Sequence, residues 1–223
     1  MGEDRWVGVG LEGVVRPLSS HPVEVDGIGL CVWRGQTGPA RVWEDRCPHR
    51  GMRLSFGFVR GDELTCLYHG WRYNGEGQCT AIPAHPDVTP AKAICTSSFA
   101  AETRGGIVFA NLSEKPEAPA PEAPEGNWQA VRSVAIGLGA EAVAGRLTED
   151  GLAGAAVEAL AEGLYRAELD GQGTALIALQ PISAAKTALH LSFCASSGGK
   201  AVQARLGLAR ALVDLRTALE QEG

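Results

Sequence analysis

Two short clusters, Cys47-Pro48-His49-Arg50-Gly51 and Cys66-Leu67-Tyr68-His69-Gly70-Trp71, are separated by sixteen residues, counted between His49 and Cys66. Each supplies one thiolate and one imidazole. In an extended segment residues two apart point to the same side, so Cys47 and His49 can face a common centre. In the second cluster a tight turn brings Cys66 and His69 together, and Gly70 lets the backbone bend just after them. The insert is long enough for a strand out, Leu54 to Phe58, and a strand back, Glu63 to Cys66, around Arg60-Gly61-Asp62. Both loops then lie side by side at one end of a small β unit.

Two metal groups suit this donor set. Two Cys and two His match tetrahedral zinc. They also match a [2Fe–2S] cluster in which two histidines replace two cysteines on one iron. Zinc fingers usually pair like with like, as Cys-x₂₋₄-Cys and His-x₃₋₅-His. Here each loop is mixed, which favours the iron–sulfur reading. Colour, iron and labile sulfide separate the two.

With Arg72-Tyr73-Asn74 and Gly77-Gln78-Cys79-Thr80-Ala81-Ile82-Pro83 following, the clusters resemble the Rieske domain of the non-haem iron oxygenases. These are the aromatic-ring hydroxylases and O- or N-demethylases. The resemblance runs from Trp6-Val7-Gly8 through Gly105-Gly106-Ile107-Val108-Phe109-Ala110-Asn111, roughly the first half of the chain. It implies that Cys47 and Cys66 hold one iron and His49 and His69 the other, so these four are the cofactor and metal ligands. No catalytic residue is expected. The respiratory relatives carry an extra cysteine in each loop, joined as a disulfide; Met52 and Tyr68 occupy those places here, so no such bridge is implied. The resemblance then implies a potential at the low end of the range of about −150 to +300 mV.

A net charge of −6 argues against nucleic acid as a partner. Half of it sits in residues 114–127, where four Glu oppose Lys115 among four prolines. Such a stretch reads as a semi-rigid spacer with nothing to bury. The expected organisation is therefore a Rieske domain over 1–113, a linker over 114–127 and a smaller domain over 128–223. Of the six cysteines, Cys31, Cys79, Cys95 and Cys194 follow no pairing pattern, as in a reducing cytoplasm. The first residues show no basic start or apolar run, so no signal peptide is expected. No stretch is apolar enough to span a membrane. A cytoplasmic protein follows from these readings.

The fold class expected is α+β: an all-β first domain, then antiparallel strands with a C-terminal helix. Strands are expected at Gly29–Arg34, Ala40–Trp43 and Gly106–Ala110, and a hairpin at the Asn74-Gly75 pair. Beyond the linker, Ala130–Ile136 reads as a strand, and Leu152, Ala156, Leu160 and Leu164 recur every four residues as in an amphipathic helix. Leu164–Leu169, Ala175–Gln180 and Ala188–Phe193 read as three strands, closed by Gly198-Gly199. A helix then runs from Lys200 with Leu208, Leu212, Leu215 and Leu219 on one face. Gln180 to Thr187 resembles the late strands of the oxygenases' catalytic domain, so this half reads as a reduced helix-grip fold or an unrelated α+β module.

A histidine count decides the function expected. An oxygen-activating non-haem iron needs two His and a carboxylate. Beyond His49 and His69 the sequence holds only His21, His85 and His190, with no His pair in the second half. The family's iron triad has no counterpart. The reading is an electron-transfer subunit of a multicomponent oxygenase, not expected to oxygenate substrate alone. Its partners would be a reductase and an oxygenase-like chain bearing the mononuclear iron, in an oligomer. Two alternatives stand beside it: a stand-alone Rieske ferredoxin with an oligomerisation domain, and a complete oxygenase using atypical ligands such as His190.

Overall fold

The computed structural model describes residues 4–196 and 201–222. Among the described residues fifteen short runs become strands, and three antiparallel sheets result. In chain order the first ten strands are β1 (Trp6–Leu11), β2 (Ser19–Val25), β3 (Ile28–Arg34), β4 (Ala40–Glu44), β5 (Phe58–Arg60), β6 (Glu63–Thr65), β7 (Arg72–Tyr73), β8 (Cys79–Ala81), β9 (Ser98–Arg104) and β10 (Ile107–Asn111). After the Pro/Glu segment come β11 (Trp128–Ile136), α1 (Ala140–Asp150), β12 (Val157–Ala161), β13 (Leu164–Leu169), β14 (Gly173–Ser183), β15 (Lys186–Ala195) and α2 (Ala201–Glu222). A six-stranded sheet has the order β1-β10-β9-β4-β3-β2, and the insert between β4 and β9 forms a four-stranded sheet, β5-β6-β7-β8. The third sheet runs β11-β15-β14-β13-β12.

The α+β class and the expected strands of both halves are present. Three local expectations need correction. The outgoing strand of the insert begins only at Phe58, because Leu54–Phe56 is a 3₁₀ turn. No helix covers residues 152–164. Gly151 and Gly154 take φ of 73° and 79°, with Ala153 at 54° between them, a left-handed run that no helix continues through. Val157 then pairs with Ala167 as β12. The helix lies earlier, at α1, where only Val143 and Leu147 are buried; a one-turn apolar signal is too short to read as a periodic face. The third correction concerns the Pro/Glu segment, which does bury something: Ala120 is buried, Trp6 Nε1–H donates to the Ala118 carbonyl, and Trp128 Nε1–H donates to the Pro124 carbonyl. Gly198-Gly199 and Lys200 lie outside the described residues.

The centre of the third sheet, β14 and β15, is buried on both faces, while β12 at its edge is largely exposed. Successive strand residues point to opposite sides, and β14 is apolar at almost every position. Ala175, Ile177 and Leu179, with Leu189, Leu191 and Phe193 of β15, face α1 and α2 and join one core with Leu208, Leu212, Leu215 and Leu219. The alternate positions Leu176 and Ala178 pack with Leu11, Ile107 and Phe109 of the first domain. Polar groups on the same face also cross. Ser192 Oγ–H donates to the Gly105 carbonyl at 2.6 Å, and Gln180 Nε2–H donates to the Glu24 carbonyl at 2.7 Å. The space between α2 and the sheet is thus filled by leucine and phenylalanine side chains.

Candidate metal centre

The two clusters fold as near-copies of one loop. The Cys47 N–H donates to the Met52 carbonyl and the Gly51 N–H returns to the Cys47 carbonyl, both at 2.8 Å. The Cys66 N–H donates to the Trp71 carbonyl at 2.9 Å and the Gly70 N–H to the Cys66 carbonyl at 3.1 Å. The ring closes at the fifth residue on left-handed backbone, and Gly51 and Gly70 have φ of 72° and 70°. The shared signal is Cys-x₃-Gly, with the histidine third in one loop and fourth in the other.

The structure sets the two expected thiols beside one another and the two expected imidazoles beside one another; among the described residues no group of three or more His, Cys, Asp or Glu side chains is closed around a metal-sized site. Cys47 and Cys66 are each 2% exposed, in a core with Trp33, Trp43, Leu54, Leu64 and Tyr73. Burial pushes the Cys66 thiol above its ordinary value, and the neighbouring Cys47 adds to it. His49 is half-buried and His69 exposed, with ring centroids 4.7 Å apart. Thiols therefore line the inner side and imidazoles the outer. Trp71 stacks on His49 at 4.2 Å, and Tyr68 stacks on His69 at 3.8 Å. A cluster needing two thiolates on one iron and two imidazoles on the next fits this division. Coordination would keep the Cys66 thiol deprotonated, where burial by itself favours the protonated form.

Two supporting residues were not singled out from sequence. Tyr73 is fully buried with its hydroxyl 3.1 Å from the Cys47 sulfur. Burial, then that contact, holds its phenol far above the ordinary value, so the hydroxyl keeps its proton and would donate to a thiolate at Cys47. Asp45 is buried, and its carboxylate accepts from the Ser55 N–H and Oγ–H, both at 2.7 Å. It ties the arm entering the first loop to the 3₁₀ turn leaving it. Tyr73 was legible as part of the motif; Asp45 had no signal, because its partner is ten residues away.

A hydrogen bond to a thiolate favours the more negative, reduced state. Tyr73→Phe is therefore expected to lower the reduction potential by on the order of 50 mV, about 1 kcal/mol for one electron. Protein-film voltammetry checks this, and an unchanged or raised potential would contradict the donor assignment.

The remaining histidines lie elsewhere. His85 is exposed, and His21 Nε2 lies 3.0 Å from Ser19 Oγ. His190 is buried, with Nδ1 2.8 Å from Ser133 Oγ and Nε2 2.7 Å from Gln180 Oε1. Both of its ring nitrogens are engaged in the sheet, which argues against its use as an iron ligand. Arg72 pairs with Glu63 at 3.5 Å, and Arg50 is exposed beside His49.

The Rieske [2Fe-2S] domain family matches residues 5–94. Oxidoreductase NdmD of Pseudomonas putida is 42% identical over 94 residues, covering 42% of this chain and 16% of NdmD. The oxygenase component of 3-ketosteroid-9-alpha-monooxygenase from Rhodococcus rhodochrous is 33% identical over 117 residues, 52% of this chain and 30% of that protein. The chain thus spans well under two thirds of these relatives, and the sequence likeness falls on its first half. Likeness of fold goes further. NdmA of Pseudomonas putida CBB5, solved as the QL mutant with theobromine, superposes with a TM-score of 0.73 at 18% identity, over 96% of this chain and 80% of that one. The third sheet and α2 therefore share that fold, which decides against an unrelated module. Among the described residues no helix is long and apolar enough to cross a membrane.

Proposed function

We propose that this chain, whose residues 5–94 match the Rieske [2Fe-2S] domain family, carries that family's cluster and is the electron-transfer component of a multicomponent non-haem iron oxygenase. Cys47, His49, Cys66 and His69 are the ligands in this reading. The cluster supplies one-electron chemistry. The observation that carries the proposal is the exposed imidazole side of the site: His69 reaches solvent at a protruding loop, which shortens the path to a docked protein. Residues 1–113 then form the electron-carrying domain, 114–127 the connecting segment and 128–223 a brace with the catalytic fold in shortened form. Its helix-to-sheet space is packed with Leu208, Leu212 and Phe193, where substrate and iron would need room. A reductase is the donor and a chain with a mononuclear iron the acceptor.

The test is single turnover. Purified chain with chemical reductant is expected to reduce its cluster and give no oxygenated product from steroid or N-methylxanthine probes, product appearing only when an iron-bearing oxygenase chain is added. Oxygenation by the isolated chain, or a mononuclear iron found in it, would overturn the proposal.

A further inference from the structure

The surface around the two loops has a charge of its own. Residues 46–72 carry five arginines against Asp62 and Glu63, a net +3 within a chain of net −6, which leaves −9 for the rest. Both acids are already engaged. Glu63 pairs with Arg72 and accepts from Thr80, and Asp62 accepts from the Thr37 N–H and Oγ–H at 2.8 Å. Arg46, Arg50 and Arg53 are exposed, and the first two line one hollow with Pro48 and His49, where Glu44 is the one acidic side chain against the two guanidinium groups. In the adjoining loop Leu67 is 55% and Tyr68 62% exposed, the latter stacked on His69. An apolar centre over the outer ligand, with guanidinium groups at its rim, has the anatomy of a small interface. Rim charges of this kind set encounter rate and partner choice more than final affinity.

Resting on the electron-transfer reading above, we propose that this face docks an electron-donating redox protein whose own cofactor lies under a carboxylate-rimmed surface. Leu67 and Tyr68 form the contact centre and Arg46, Arg50 and Arg53 the complementary rim. A donor that arrives, gives up one electron and leaves benefits from steering, whereas a permanently bound subunit does not. The exchange is balanced: the donor is oxidised by one electron and the cluster reduced by one, with no bond made or broken.

An acidic plant-type [2Fe–2S] ferredoxin, pre-reduced, is the probe, mixed by stopped flow with the oxidised full chain. Its second-order rate is expected to fall by at least about tenfold between 0.05 and 0.5 M NaCl, as steered association does. An Arg50→Glu/Arg53→Glu variant is expected to lose about tenfold in that rate at low salt, and to weaken calorimetric binding of the oxidised ferredoxin to a similar degree. Its visible and EPR spectra should stay native. Should that variant fail to load its cluster, Arg50→Gln/Arg53→Gln should show a smaller loss in the same direction. A salt-independent rate, or variants as fast as the parent, would overturn the docking site. So would faster exchange with the basic redox protein cytochrome c at low salt than at high. A cluster that no reductant reduces would instead sink the electron-transfer reading, so the two failures are distinct.

Discussion

His49→Ala and Cys66→Ala are each expected to yield a colourless protein, with iron and labile sulfide near zero and no Rieske-type EPR signal after reduction. Each loop offers one sulfur and one nitrogen, and the two loops are held to one another by the small β5-β6-β7-β8 sheet, the core beneath it and the stack of Trp71 on His49. Removing one donor leaves an iron short of a ligand at a site that has no spare side chain within the loop. Metal binding and folding are coupled in such loops, so the variants are also expected to be cleaved faster by protease between residues 47 and 97. Iron, sulfide and EPR measured on both variants check this. A variant that keeps native absorbance would remove that residue from the ligand set, and zinc in place of iron in the parent would refute the cluster itself.

Folding stability is expected to drop by about 3 kcal/mol between pH 7 and pH 4 through His190 alone. Burial lowers its pKa to about 4, against about 6.5 in an unfolded chain. Below 6.5 the unfolded state therefore binds a proton that the folded state refuses. The contribution is complete above pH 6.5 and is lost as pH falls toward 4. About 2.5 units at 1.36 kcal/mol each give the magnitude. The ring sits between Ser133 and Gln180, and Gln180 in turn holds the Glu24 carbonyl of the first domain. Protonation thus strains the polar seam between the two halves. Urea midpoints of the parent and of His190→Asn, taken at pH 4.5 and 7, check this. The variant is expected to be less stable at pH 7 by about 1–3 kcal/mol, for the hydrogen bonds lost, and to have a flatter pH dependence. Equal slopes in both proteins would contradict the assignment to His190.

Why the first half was more legible than the second follows from the kind of signal each carries. In the first, ligand type and spacing constrain the backbone directly: Cys47, His49, Cys66 and His69 must converge if they share one cluster, and Gly51 and Gly70 mark the turns that let them. In the second, apolar periodicity was the main cue, beside a short resemblance over Gln180 to Thr187. Leu152, Ala156, Leu160 and Leu164 mimic a helix by coincidence, since a turn and two strands place them at that spacing. The true helix α1 offers just Val143 and Leu147. Strand β14 reads as a continuous apolar run, and a run of that kind says that both faces are covered without saying by what.

Local chemistry is what the amino-acid order determined unaided: two loops with one thiolate and one imidazole apiece, a glycine to close each, and strands to carry them. Partnership across the chain needed the tertiary structure. Asp45 on Ser55, Tyr73 on the Cys47 sulfur, and Ser133, His190 and Gln180 linked in a line to Glu24 are contacts between residues from ten to more than one hundred and fifty positions apart. Hydrogen bonds and close packing act over a few ångströms, so such pairs exist only once the sheets have set which distant side chains are neighbours.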